Sequence, residues 1–140
     1  MHATAADFAH DPLADRPCPC GRDAQYGACC GPVHAGEAAP TAGRLMRSRY
    51  SAFALGLEAY LLSSWHPSTR PAALELDADT VWQRLVIEHT EGGGPFDANG
   101  TVTFTAVART PAGRHAQRER SRFVREAGRW YYLDGDALAG

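Results

Sequence analysis

The chain reads as an α+β domain, with helices packed on an antiparallel sheet and a small cysteine module in front of them. Three observations carry that expectation. Apolar side chains recur at helical spacing through residues 44–55. After Trp82 the apolar period drops to two and stays there to about residue 133. Four cysteines fall within thirteen residues ahead of the first helix. Helices first and strands afterwards is the order of an α+β fold, in which a curved sheet wraps the helices and leaves a pocket between the layers.

Residues 1–16 are rich in Ala, Asp and His without periodicity, and predict a disordered tail in which His2 and His10 have no role. The first fifteen residues lack the basic start and apolar core of a signal peptide, and no run approaches ~18 apolar residues. A cytoplasmic location without a membrane span is the expectation. Residues 17–33 hold the cysteines, 34–42 (HAGEAAPTA) form a linker, and 43–136 form the main domain.

Cys18 and Cys20 make a CxC pair, and Cys29 and Cys30 a CC pair eight residues later. In a reducing compartment such clustering points to metal. Structural zinc takes four soft or borderline ligands in a closed shell, and a tight turn plus a helix end supplies them. Two disulfides, or His34 in place of one cysteine, stay open as alternatives.

In the first helix Leu45, Met46, Tyr50 and Phe53 share one face, and Thr41 is placed to cap its start. Arg49 lies in that apolar stripe, so it must find a partner or line a cavity. Arg47 is expected at the solvent with Arg44. Gly56 ends the helix. Leu57, Tyr60, Leu61 and Trp65 give a second helical stripe, closed by His66-Pro67. Asp79–Trp82 is read as one further helical turn. Strands follow over 84–90, 101–109, 115–124 and 129–133, with Pro111–Gly113 and Gly128 at turns. Leu85, Ile87 and His89 are assigned to one face of the first strand. In the third strand His115, Gln117, Glu119, Ser121 and Phe123 face the helices, while Arg114, Arg118, Arg120 and Arg122 face outward. Glu119 becomes an inward carboxylate and Arg49 an inward cation.

All fourteen basic residues are arginine, and the net charge is −2. Codon bias is one explanation and planar anion recognition the other. The charge balance argues against nucleic acid, and the outward arginines lack interleaved aromatics.

CPCG followed by eight residues and CC resembles the SEC-C motif, a zinc module that contacts protein partners. Over residues 18–135, CPCG…CCGP, HAGE, LMRSRYSAF, WHPSTR, ERSRFVRE and GRWYYLDG resemble the uncharacterised YchJ-type family. Many of its members carry a second cysteine module after the main domain. That resemblance implies a nuclear-transport-factor-2-like (cystatin-like) cone behind a zinc knuckle formed by Cys18, Cys20, Cys29 and Cys30.

For function, Arg49 and Glu119 form either a structural ion pair or part of a ligand pocket with Tyr50, Trp65, Ser121, Trp130 and Tyr132, in which Arg49 clamps a small anion. His66 is either a general acid–base with Glu119, Asp134 or Asp136, or a residue at a helix C-terminus. Three classes compete. The leading one is a zinc-containing adaptor or binding protein with a protein partner on the zinc module. The others are a small isomerase- or hydratase-like enzyme and a labile metal-handling protein. The exposed arginine face predicts a monomer.

Overall fold

The computed structural model describes residues 13–139. Four strands pair in sequence order into one antiparallel sheet: β1 (Val81–Gly92), β2 (Asn99–Thr110), β3 (Gly113–Glu126) and β4 (Arg129–Leu138). The curved sheet carries the helices on its inner face. The β3–β4 turn holds Ala127 and Gly128 at φ 51 and 78°, the mirror-image geometry whose twist suits a tight hairpin. The helical turn expected over Asp79–Trp82 is absent, because Val81 and Trp82 pair with Arg109 and Ala108 as the start of β1. A β-branched and an aromatic residue with a partner strand beside them take the pleat.

Three register shifts interrupt the alternation. They fall between Trp82 and Arg84, between Ile87 and His89, and opposite Arg122/Phe123. An inserted residue reverses which face the following side chains take. Trp82 therefore reaches the core side along with Leu85 and Ile87. His89, expected beside Ile87, instead lies opposite Thr103, exposed and bonded to Glu91 at 3.1 Å.

A 3-10 turn (Tyr26–Ala28) leads into α1 (Cys30–His34), followed by α2 (Ala42–Leu55) and α3 (Glu58–Ser63). Thr41 Oγ1 accepts the Arg44 N–H at 3.1 Å and caps α2. Gly56, at φ 74°, closes α2 in the left-handed conformation that glycine adopts without penalty. The buried side of α2 is broad. Leu45, Met46, Arg49 and Tyr50 meet the sheet or the cavity above it, and Ser48 and Ser51 are buried as well. The second stripe ends earlier than its pattern suggests. From Ser64 the chain runs beside β4: the His66 N–H donates to Tyr132 O at 2.7 Å and the Tyr132 N–H to Ser64 O at 2.9 Å. This segment covers a sheet edge that would otherwise stand open.

The tail expected over 1–16 lies outside the described residues as far as residue 12. Residues 13–16 are bound in: the Tyr26 N–H donates to Arg16 O at 2.8 Å and the Gly27 N–H to Ala14 O at 3.0 Å. The segment expected as a linker is partly structural. His34 ends α1, Ala39 is buried, and the Ala42 N–H donates to Gly93 O at 2.9 Å. All four cysteines belong to one apolar cluster with Val33, Leu45, Met46, Tyr50, Phe104, Phe123 and Trp130.

Candidate functional site

The four cysteine sulfurs lie within 4.8 Å of one another, and the residues are 0–4% exposed. Cys20 Sγ is 3.6 Å from Cys29 Sγ, and Cys29 Sγ is 4.0 Å from Cys30 Sγ. A disulfide needs sulfurs about 2.05 Å apart, so these are free thiols. Tetrahedral zinc at a Zn–S distance of about 2.3 Å sets its sulfurs about 3.8 Å apart, which the observed spacing matches. Hydrogen bonding among the sulfurs pulls Cys18 down in pKa and pushes Cys20 and Cys30 up. A metal held by four cysteines takes all four as thiolates.

Ser51, Arg47 and His34 fasten this centre to α2. Ser51 Oγ donates to Cys30 Sγ at 3.3 Å. Arg47, expected at the solvent, turns back so that Nη1 donates to Cys20 O at 3.0 Å. His34 is a bridge and no metal ligand: Nε2–H donates to Ser48 O at 2.7 Å, and Nδ1 accepts from the Tyr26 hydroxyl at 2.6 Å. Burial lowers its pKa.

Between α2 and the sheet lies a cavity of about 210 Å³. Arg49, Tyr50, Trp65, Glu119, Ser121 and Tyr132 all line it. The expected Arg49–Glu119 ion pair is not formed. Arg49 Nη1 donates to Leu61 O at 2.8 Å and to Ser64 Oγ at 2.6 Å, at the end of α3. Its guanidinium stacks 4.5 Å from the Tyr132 ring and 5.3 Å from that of Trp65. The α3 terminus reaches the arginine first and holds it against one wall. Glu119 accepts from Ser121 Oγ at 2.6 Å and from Gln117 Nε2 at 3.4 Å. Burial holds Arg49 down at about 10 and pushes Tyr50 up to about 12. Gly135 lies against this carboxylate, and an added Cβ would come 2.6 Å from Glu119 Oε2.

Two candidates fall elsewhere. Trp130 shares the inner face with Tyr132 but lines a second cavity beside Val33, His34 and Leu45. Its Nε1 is the one sealed side-chain polar atom without a partner among the described residues. His66 accepts from the Ser68 N–H at 3.1 Å and bonds Glu126 at 2.8 Å, away from the cavity. Asp134 and Asp136 hold Arg122 on the outer face, so neither forms a dyad with His66. Among the described residues no histidine lines the cavity. Sequence reasoning missed Met46, Phe53, Trp82, Phe104, Ala106 and Gln117 as lining residues. Gln117 follows from the alternation that placed Glu119, whereas Trp82 was hidden by the helical misassignment.

Residues 41–135 match the family model described as the YchJ middle NTF2-like domain. The chain belongs to the YchJ family. A UPF0225 protein of Xanthomonas oryzae pv. oryzae (strain MAFF 311018) is 55% identical over 125 residues, covering 87% of this chain and 95% of that protein. A UPF0225 protein of Streptomyces coelicolor is 52% identical over 123 residues, covering 87% and 96%. Two solved structures of SEC-C motif containing proteins are similar. The solution structure from Rhodopseudomonas palustris has TM-score 0.75 and 31% identity, covering 87% of this chain and 98% of that one. The crystal structure from Psychrobacter arcticus has TM-score 0.73 and 28% identity, covering 91% and 86%. The family and the cone agree with what the motifs implied, and no helix among the described residues is long and apolar enough to cross a membrane.

Proposed function

We propose that this chain is a cytoplasmic binding protein. Its four-cysteine module holds zinc as a structural element and presents a surface to a protein partner, while the cone takes a small anionic ligand at Arg49. One observation carries the metal part: four reduced sulfurs are buried at zinc-like spacing and packed into the same core as the cone. A labile handling site keeps a sulfur accessible for exchange, and these are nearly sealed. The partner role follows the SEC-C resemblance, and the loop at Gly21–Asp23 is exposed to serve it. Arg49 supports the ligand part as a buried cation without a carboxylate partner among the described residues, placed on an apolar cavity.

The test is metal analysis of protein purified without added metal, with a thiol count on the same sample. One zinc per chain and no thiol reactive before denaturation is the expected result. Four rapidly reactive thiols with little metal would sink the structural-zinc role in favour of a labile site.

A further inference from the structure

Building on the cavity-binding function proposed above, we infer that the occupant is dipolar: a small molecule with a carboxylate and an ammonium donor side by side on an apolar body. Arg49 carries five N–H groups, and its two hydrogen bonds both leave from Nη1. Nε and Nη2 have no acceptor among the described residues. Neither is sealed, since the one sealed and unpartnered side-chain atom among the described residues is Trp130 Nε1. Trp65 and Tyr132, their ring centroids 5.0 Å apart, pack together on one side of the guanidinium. Arg49 lines the cavity, and Nε and Nη2 make up the unbonded edge of its guanidinium. A guanidinium edge is the group that takes a carboxylate through two parallel N–H donors.

Glu119 is the opposite pole. It is half-buried, and among the described residues it bonds only Ser121 and Gln117 and forms no ion pair. Met46, Tyr50, Phe53, Trp82 and Phe104 form apolar wall in the same cavity. A simple anion would answer Arg49 and leave the Glu119 carboxylate facing apolar surface. A simple cation would do the reverse. A dipolar ligand satisfies both poles, and unmet polar groups are what reject the others.

The experiment uses the full zinc-loaded chain and three probes: L-phenylalanine, 3-phenylpropanoate and 2-phenylethylamine. Binding is read by tryptophan fluorescence, since Trp65 and Trp82 line the cavity, and by the arginine Nε–H resonances. Arg49→Lys, which has no such group, identifies the Arg49 signal. L-phenylalanine is expected to shift that signal and to bind at least tenfold more tightly than either truncated probe. Glu119→Gln should weaken L-phenylalanine about tenfold and leave 3-phenylpropanoate within twofold. Gly135→Ala should do the same by turning the Glu119 carboxylate aside, and thermal melts establish that both variants fold. Equal affinity for L-phenylalanine and 3-phenylpropanoate overturns the dipolar ligand and leaves the anion cavity standing, whereas equal affinity for 2-phenylethylamine overturns both. If no probe moves the Arg49 signal, the ligand cavity falls as well.

Discussion

Arg49 is costly where it stands. It is 4% exposed, its hydrogen-bond acceptors are neutral, and burial draws its pKa from 12.5 to about 10. The sign follows directly. Below pH 10 both folded and unfolded chains hold the proton, so the full cost of burying the charge is present. As pH rises from 10 towards 12.5 the unfolded chain binds the proton better than the native one, and stability rises. The cost is therefore constant across the physiological range. Replacing a buried charge by an apolar side chain of similar length is often stabilising. Arg49→Met is expected to raise unfolding stability by ~1–3 kcal/mol in urea at pH 7 while abolishing ligand binding. A loss of more than ~2 kcal/mol would make Arg49 a structural strut. The sequence showed that this arginine was buried, since its spacing allowed nothing else. Its partner was not legible, because that depends on where α3 ends against α2, and the apolar stripe through Trp65 ran past the true end.

At the scale of elements, alternation assigned the faces of β3 correctly, from Gln117 to Phe123. It failed in β1, where two bulges each insert a residue with no signature in composition. The outward arginines also differ from a bare basic stripe. Glu88 binds Arg118 at 2.8 Å, and Asp134 and Asp136 bind Arg122 at 2.5 and 2.7 Å, pairings visible only once register is known. The joint between α1 and α2 is the other feature that the sequence hid. His34 fills it, with Tyr26 and the edge of Tyr60 around its ring and Ser48 O as its acceptor. Desolvation lowers its pKa against the opposing pull of the Ser48 carbonyl and the Cys18 sulfur. Neutral His34 thus contributes stability above pH 6.5, and that contribution is lost as pH falls below it, by at most ~1.4 kcal/mol per pH unit. Zinc-loaded wild type and His34→Gln, compared by urea unfolding between pH 5 and 7.5, should diverge, with the wild type falling more steeply in acid. Parallel curves would remove His34 from the acid response, because both proteins share every cysteine.

Across the whole molecule, the question is whether the cysteine module is a separate bead or part of the cone. Its spacing, and the Gly/Pro/Ala segment after it, suggested a bead on a linker. The packing says otherwise: Cys18, Cys20, Cys29 and Cys30 share one apolar cluster with residues of α2 and of all four strands. Arg47, Ser51 and His34 add polar ties across the joint. Metal that binds only the folded chain stabilises it by mass action, and that stabilisation spreads through whatever unfolds together. All three tryptophans, Trp65, Trp82 and Trp130, lie outside the module and report on the cone. Removing zinc with a strong chelator is therefore expected to lower the melting temperature seen by tryptophan fluorescence by ~10 °C or more, in one transition that coincides with loss of helical circular dichroism. A tryptophan transition that stays in place while the thiols become reactive would instead establish the module as an independent unit, with a cone that folds without it.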